Sequence, residues 1–305
     1  MFAKLFCGPV FRWAGIIIVI TALVRTGQAE AKLEAFREIQ IKIVGQGQPV
    51  LMIPGFDSAA DSWAETCAVM QQDKVQCRIV QLPGFAGLPA AADADQNAWL
   101  DDMRDRLLAY IEAEKLKSPI VMGHSLGGVL ALQMAIKRPA AVGGLVIVDS
   151  LPFLGQIWLD VTDVAQARQA AQGMRQGMLA QSQAEYEAAV TASVKNMAHA
   201  PERVATLVTW SKASDRTTSA AALYSLLSTD LRSQLGEVKS PTLVLGSWAA
   251  YAPMGATKTS TAEIFKSQYA MLKDVQIELS DSGYHFLMWD DPQWLQMQVR
   301  SFLRR

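Results

Sequence analysis

Features that identify several common classes of protein are scarce in this chain. Its 305 residues include three cysteines and three histidines, all scattered, which excludes the zinc-ribbon and zinc-finger patterns. Charged residues make up 19% and hydrophobic residues 50% of the chain, a balance that excludes intrinsic disorder. The formal net charge of −1 provides no overall basic field to bind nucleic acid or an anionic membrane. The composition therefore predicts a globular protein with a substantial core.

A long apolar run is also missing, although the N-terminus contains a short one. Lys4 and Arg12 accompany the run WAGIIIVITALV at 13–24, which falls short of the roughly 20 residues that a membrane-spanning helix needs. Small residues then stand at positions −3 and −1 of a cut after Ala29, as in a secretory signal peptide. We expect residues 1–29 to be removed, leaving a periplasmic or secreted protein without stable membrane insertion. An uncleaved leader that anchors the chain in the membrane is the alternative.

Loss of the leader changes the net charge of the chain and the interpretation of its cysteines. The leader holds three basic residues and no acidic one, so its removal takes the net charge from −1 to −4. Only Cys67 and Cys77 remain, in a compartment where disulfides persist. A helix that turns directly into a strand would bring the two together, but a pair of buried thiols fits the sequence equally well. A thiol redox role is not expected, because a C-x-x-C motif is absent.

Strand and helix patterns alternate along the mature chain. Strands are predicted at 38–44, 49–53, 76–82, 118–122, 145–148, 241–245 and 275–279. Helices are predicted at 61–72, around 100–111, at 126–137, at 261–272 and at the C-terminus. Such alternation predicts an α/β fold, a mostly parallel doubly wound sheet with helices on both faces.

The alternation stops in the middle of the chain. From residue 153 to 235 there is no convincing strand, and helical patterns cover 161–197, 201–212 and 219–227. We therefore predict an all-helical lid at 153–235, inserted into one α/β core made of residues 30–152 and 236–305. Phe153 and Trp158, at the start of this lid, are candidate substrate-pocket residues, and hinge packing is the alternative for both.

Residues 123–127 (GHSLG) match the pattern G-x-S-x-G and stand between an apolar strand and a helix. Glycines on both sides allow a sharp strand-to-helix turn that lifts the Ser125 hydroxyl out of the sheet edge. The turn also places Ser125 at a helix N-terminus, where free N–H groups favour developing negative charge. Ser125 is therefore a candidate nucleophile rather than part of a purely structural turn.

With this motif, the sequence resembles the α/β-hydrolase superfamily over nearly all of its mature length. The likeness is greatest to lid-bearing serine hydrolases, a group of esterases, C–C bond hydrolases and cofactor-free perhydrolases. Residues 54–56 (PGF) and 283–286 (GYHF) also carry it. The resemblance implies the chain order Ser, acid, His, in which His285 is the general base. It also implies an oxyanion hole formed by the backbone N–H groups of Phe56 and Leu126.

The acid departs from the usual pattern of the superfamily. Relatives commonly have G-x-x-D after the strand at 241–245, whereas this chain has Gly246-Ser247-Trp248-Ala249 and no carboxylate before Glu263. Some members take the acid from the end of the strand that follows the nucleophile strand. Asp149 ends that strand here. Asp149 is therefore the predicted acid, and a helix-cap or hinge role is the alternative.

Together these residues predict an exported serine hydrolase acting on a small-molecule carboxylic ester or similar acyl substrate through an acyl-Ser125 intermediate. No cofactor, metal or nucleic acid is expected. Acyl transfer or perhydrolysis on the same residues is one alternative, and a non-catalytic binding protein of the same fold is a second. We further expect Asp57 to be a solvated loop acid or a helix cap, and His124 to point away from the nucleophile.

Overall fold

An eight-stranded sheet forms the centre of the protein, seen in a computed structural model that describes residues 31–304. Its strands are β1 (Lys32–Phe36), β2 (Ile39–Gly45), β3 (Gln48–Ile53), β4 (Val75–Gln81), β5 (Ile120–His124), β6 (Gly144–Val148), β7 (Thr242–Gly246) and β8 (Val275–Leu279). Their order is β1-β2-β4-β3-β5-β6-β7-β8. The pairs β1–β2 and β2–β4 are antiparallel and the other pairs are parallel. The predicted signal peptide lies outside the described residues.

Helices connect the strands and fill both faces of the sheet. They are α1 (Ala64–Met70), α2 (Trp99–Ala113), α3 (Leu126–Lys137), α4 (Leu154–Trp158), α5 (Val164–Ala180), α6 (Gln183–Ser193), α7 (Pro201–Ala213), α8 (Arg216–Ser228), α9 (Lys258–Gln268), α10 (Leu287–Asp290) and α11 (Pro292–Leu303). Within residues 31–304, none of these helices is long and apolar enough to cross a membrane.

Alternate residues of the central strands enter two separate apolar cores, one on each face of the sheet. On β5, Val121 belongs to the same buried cluster as Leu130 of α3, whereas Met122 belongs to the cluster that contains Val299 and Phe302 of α11. Strands covered on both faces have few polar positions, and all five residues of β6 are buried. The predicted fold class, a mostly parallel sheet with helices on both faces, is confirmed.

The helices α4 to α8 all lie between β6 and β7, and residues 149–241 contain no strand. The single helical stretch expected at 161–197 is two helices, α5 and α6. The break between them is explained by Ser182, whose side chain accepts a hydrogen bond from the backbone N–H of Glu185 while the Glu185 side chain binds the backbone of Ser182. This reciprocal capping starts a new helix. We call residues 153–235 the helical insertion.

The strand β1 was not expected from the sequence. It pairs with β2 through a tight turn at Arg37 and Glu38, both of which have positive φ, at 45° and 67°. Turns of this kind are usually marked by asparagine or glycine. The turn carries neither residue, so this hairpin has no such signal in the sequence.

The two cysteines of the described chain form a disulfide. Cys67 lies on α1 and Cys77 on β4, with their Cα atoms 6.0 Å apart. Of the two possibilities that the sequence left open, the structure has the disulfide.

Candidate active site

Ser125 lies at a sharp turn between β5 and α3, with φ 51° and ψ −118°. The turn depends on the glycines of the motif, because a Cβ at Gly123 would lie 2.1 Å from the carbonyl oxygen of Gly127. A Cβ at Gly127 would lie 2.4 Å from the carbonyl oxygen of Ile53. Both distances are far below van der Waals contact, so only glycine allows the helix to pass this close to the strand. In the described chain, the Ser125 hydroxyl makes no hydrogen bond.

Two free backbone donors accompany this turn. Leu126 is the first residue of α3, and neither its N–H nor that of Phe56 donates a hydrogen bond to another residue in 31–304. The segment 54–56 lies directly against the turn, since a Cβ at Gly55 would be 3.3 Å from Cβ of Ser125. When a serine hydroxyl attacks a carbonyl carbon, the carbonyl oxygen becomes negatively charged. Free N–H groups beside Ser125 can bind such an oxygen.

Asp149 and His285 are in direct contact. Asp149 follows β6 at φ 43°, and its Oδ2 accepts a hydrogen bond of 2.6 Å from Nδ1 of His285. The side chains are 9% and 18% exposed. Ser247 holds the carboxylate from the other side, with its N–H 2.7 Å from Oδ1 and its hydroxyl 2.8 Å from Oδ2. Ser247 directly follows β7, and its role was not foreseen.

His124 supports the loop that carries His285. It is fully buried, and burial followed by the neighbouring His285 ring lowers the pKa of His124 well below its ordinary value. The neutral ring donates from Nε2 to the carbonyl oxygen of His285 over 3.0 Å, and the centroids of the two rings are 4.5 Å apart. His124 was expected to point away from Ser125, and its ring contacts the loop of His285. A histidine next to the nucleophile gives no sequence signal for this contact with a distant loop.

Two cavities meet at Ser125 and His285. Cavity A, about 400 Å³, lies between residues 56–58 and the helices α5 to α8. Cavity B, about 420 Å³, lies between residues 149–151 and α9. Cavities of this size can enclose a small molecule. Within residues 31–304, no group of three or more His, Cys, Asp or Glu side chains could hold a metal ion.

The two predicted pocket residues have different positions. Trp158 lines both cavities and is 51% exposed. Phe153 lines neither of them, which corrects the prediction made for it. Its ring is fully buried beneath the guanidinium of Arg232, 4.7 Å from the ring centroid, and its backbone N–H donates to Gln268. Phe153 is therefore a buried packing residue rather than a pocket residue.

Asp57 is neither a solvated acid nor a helix cap. It is 2% exposed, it lines cavity A, and its Oδ1 accepts a 2.5 Å hydrogen bond from the hydroxyl of Ser219 on α8. Burial raises the pKa of Asp57 to about 7, against hydrogen bonds from Ser219 and Ser214 that lower it. The helical turn that follows begins after Ala59 without a side-chain cap.

The other carboxylates near the site in sequence are remote from the imidazole of His285. Asp281 is exposed and pairs with the ammonium of Lys258 over 2.6 Å. Glu263 lies on the exposed side of α9. Asp149 is therefore the carboxylate that contacts His285 in the described chain.

Comparison with known proteins gives the same family at two levels. A family model described as the alpha/beta hydrolase family matches residues 50–295. The chain is 28% identical to the 2-hydroxymuconate semialdehyde hydrolase of Pseudomonas sp. (strain CF600) over 110 residues, 35% of this chain and 38% of the relative. It is 30% identical to the pimeloyl-(acyl-carrier protein) methyl ester esterase of Shewanella woodyi over 114 residues, 37% of this chain and 40% of the relative. The matched segments span about two fifths of these relatives.

Solved structures resemble the protein over most of its length. An esterase from Exiguobacterium antarcticum superposes with a TM-score of 0.71 at 14% identity, covering 90% of this chain and 100% of that chain. The enol-lactonase of Burkholderia xenovorans gives 0.69 at 12% identity, with 90% and 100% covered. At such identities the superpositions show a shared fold and carry no information about the substrate.

Proposed function

The chain belongs to the alpha/beta hydrolase family, and on this premise we propose that it is an exported serine hydrolase that cleaves a carboxylic ester or a similar acyl substrate. The observation that carries the proposal is the 2.6 Å hydrogen bond between Nδ1 of His285 and Asp149. It occupies one ring nitrogen and leaves Nε2 for a base reaction in cavities that Ser125 also lines.

In the first half of the reaction, the Ser125 hydroxyl attacks the carbonyl carbon of the substrate. His285 takes the hydroxyl proton at Nε2, and Asp149 stabilises the imidazolium through Nδ1–H. The carbonyl oxygen becomes an oxyanion bound by the N–H groups of Phe56 and Leu126. Collapse of this intermediate breaks the ester bond, and His285 returns its proton to the departing alcohol. The acyl group is then covalently bound to Ser125 Oγ.

In the second half, a water molecule attacks the carbonyl carbon of acyl-Ser125 while His285 removes a proton from that water. The acid product leaves, and the proton returns from His285 to Ser125.

The position of Asp149 bears on the non-catalytic alternative, because the absence of an acid after β7 was the only sequence feature in favour of a binding protein. A carboxylate bound to His285 removes that argument.

Export is proposed from the leader together with the disulfide. Residues 1–29 have the basic, apolar and small-residue segments of a signal peptide. The disulfide between Cys67 and Cys77 suits an oxidising compartment such as the periplasm. N-terminal sequencing of periplasmic protein should begin at or near Glu30, whereas recovery of Met1 would support a membrane anchor.

Labelling with a fluorophosphonate tests the proposed function directly. We expect the wild-type protein to be labelled on the peptide that contains Ser125, and Ser125→Ala to lose both the label and ester turnover. Loss of the nucleophile typically costs several orders of magnitude in rate. The control is Ser267→Ala, the same change at an exposed position of α9, which should keep both. Activity of Ser125→Ala above about a hundredth of wild type would refute the assignment.

A further inference from the structure

We propose that Asp57 and Ser219 position the oxyanion hole, so that the helical insertion takes part in stabilising the transition state. The inference rests on the proposed hydrolase function, and it concerns two residues that have no step in the reaction described above. Ser219 donates a hydrogen bond of 2.5 Å to Oδ1 of Asp57. Asp57 directly follows Phe56, whose backbone N–H is one of the two proposed oxyanion donors.

The N–H of Phe56 belongs to a four-residue turn at 55–58. The N–H of Ser58 donates to the carbonyl oxygen of Gly55 over 3.3 Å and closes this turn, and the Ser58 hydroxyl donates to the carbonyl oxygen of Phe56 over 3.1 Å. The carbonyl of Gly55 and the N–H of Phe56 are parts of one planar peptide group. The hydrogen bond that closes the turn therefore also fixes the direction in which the Phe56 N–H points.

Asp57 occupies the position of this turn that usually requires glycine. It is the third of the four residues, and its φ is 52°, in the left-handed region. Turns with a positive φ at this position usually have glycine or asparagine there. Another residue in this conformation costs free energy and persists where its surroundings hold it. The contacts of the Asp57 side chain therefore help to decide whether the turn keeps its shape.

Ser219 provides such a contact from the helical insertion. It is fully buried near the start of α8, a part of the helix that is itself attached to the core. The N–H of Asp215 donates to the carbonyl oxygen of Gly84 over 2.7 Å. The hydroxyl of Ser214 accepts a hydrogen bond of 2.9 Å from the N–H of Ala86. The Ser219 hydroxyl is therefore a donor held in place against the core.

The charge of Asp57 is compatible with this role. A carboxylate beside the hole would oppose the negative charge that develops on the substrate oxygen. Burial raises the pKa of Asp57 to about 7, against hydrogen bonds from Ser219 and Ser214 that lower it, so the neutral acid is well populated near neutral pH. The carbonyl oxygen of that acid accepts from Ser219 as a carboxylate oxygen does. The positioning role therefore needs the hydrogen bond and not the charge.

The test breaks the hydrogen bond from each side and compares kcat with KM for nitrophenyl butyrate. In Ser219→Ala and in Asp57→Ala, we expect kcat to fall at least about tenfold while KM stays within about twofold, because the oxyanion forms only in the transition state. Loss of a complete oxyanion donor typically costs about a hundredfold or more. The double variant should be no slower than the slower single variant, since both changes break the same bond.

A trifluoromethyl ketone with a butyl chain provides a second readout. Addition of a serine hydroxyl to this ketone gives an oxyanion, so its affinity depends on the oxyanion hole. Its inhibition constant should rise in both alanine variants by about the factor by which kcat/KM falls. The corresponding trifluoromethyl alcohol cannot form an oxyanion and should keep its inhibition constant.

Two further variants separate positioning from a general effect on the fold. Asp57→Asn should restore kcat to within about threefold of wild type, because its amide oxygen accepts from Ser219 and asparagine tolerates the left-handed φ. Ser225→Ala is the matched control on α8, since it removes a buried hydroxyl that has no hydrogen-bond partner in the described chain. It should leave kcat and the inhibition constant of the ketone unchanged. Urea unfolding gives the folded fraction by which each kcat is corrected, and if one alanine variant does not fold, the other breaks the same bond.

Two results would overturn the proposal. If the alanine variants lose stability but keep kcat and the inhibition constant of the ketone within about twofold, the hydrogen bond is a structural link alone. If Asp57→Asn is as slow as Asp57→Ala, the charge acts and not the hydrogen bond. Fluorophosphonate labelling distinguishes these failures from failure of the proposed function. If wild-type Ser125 is labelled, the hydrolase function stands in both cases, and if it is not labelled, that function fails and this inference fails with it.

Discussion

At the scale of single residues, Asp149 and Ser247 show how two neighbouring strands bring a carboxylate to His285. β6 and β7 pair in parallel, so their carboxyl ends meet at the same edge of the sheet. Asp149 extends from the end of β6, and Ser247, just beyond β7, binds both of its oxygens. The resulting contact with Nδ1 orients the imidazole.

Replacement of this carboxylate by an amide tests its role. Asp149→Asn should lower kcat by up to about four orders of magnitude with little change in KM, because the amide cannot stabilise the imidazolium or maintain the correct tautomer. Steady-state kinetics on a nitrophenyl ester measure the effect. Asp281→Asn and Glu263→Gln are matched controls that should run near the wild-type rate. If kcat falls strongly in either control while Asp149→Asn keeps a near wild-type kcat, the assignment of the acid is wrong.

Asp57 should make the stability of the protein depend on pH. Its pKa is about 7 in the folded chain and near 3.8 in an unfolded one, so between these values the folded state holds a proton that the unfolded state has lost. The free energy of unfolding should therefore decrease as pH rises from about 4 to 7, by roughly 4 kcal/mol at most. Asp57→Asn should lack this decrease.

Urea unfolding at about pH 4.5 and pH 8 measures the difference. Wild type and the exposed control Asp281→Asn should both lose stability at the higher pH, and Asp57→Asn should lose markedly less. Identical pH dependence in all three proteins would show that the Asp57 carboxyl titrates normally.

The residues of the site differ in how far the sequence could predict them. Ser125 stands in a local motif, whereas His285 and Asp149 were named from the resemblance to the superfamily, with Asp149 at the end of the strand that follows the nucleophile strand. The burial of Asp57 could not be predicted, because it depends on Ser219, a hydroxyl 162 positions away that lies on a helix of the insertion. The contact of His124 with the loop of His285 spans 161 positions and has no local signature either.

At the scale of elements, prediction succeeded where periodicity and flanking residues agreed. The strand β8 and the helix α3 have the bounds that the apolar patterns gave them, 275–279 and 126–137. The strand β1 was missed because its turn uses two non-glycine residues at positive φ. The break between α5 and α6 was missed because Ser182 had to be recognised as a cap inside a continuous helical pattern.

The turn at Ser125 offers a test at this scale. Gly127→Ala should lower the free energy of unfolding by about 1–3 kcal/mol and reduce activity, because the new Cβ would lie 2.4 Å from the backbone oxygen of Ile53. Gly173→Ala is the control. This residue lies within α5 with open space around a Cβ, so alanine there should raise stability by about 0.5–1 kcal/mol. Thermal and urea unfolding measure both, and a neutral Gly127→Ala would show that the turn can relax.

At the scale of the whole molecule, the site is formed where the helical insertion meets the sheet edge. The backbone N–H of Phe286, next to His285, donates to the carbonyl of Met197 in the insertion. Ser219 of α8 donates to Asp57 of the core, so two links connect the parts beside the cavities. The sequence predicted both parts from their patterns. It could not predict the cavities, since their shape depends on how α5 to α8 pack against one another and over Ser125.

The charges around cavity A lead to a prediction about substrates. Among the described residues, cavity A is lined by no Lys or Arg, it contains the carboxyl of Asp57, and the mature chain is expected to carry a net charge of −4. An anionic acyl group would lose its water without meeting a Lys or Arg among the residues that line the cavity, at a cost of several kcal/mol for a buried charge. We therefore expect the protein to hydrolyse the mono-nitrophenyl ester of glutarate at least about a hundredfold less efficiently, in kcat/KM, than the same molecule with its second carboxyl methylated. The pair is nearly matched in size, so the comparison isolates the charge, and nitrophenyl butyrate and hexanoate provide neutral references. A preference for the free glutarate, or for a phosphate-bearing ester, would mean that a cation reaches the bound substrate and would contradict this prediction.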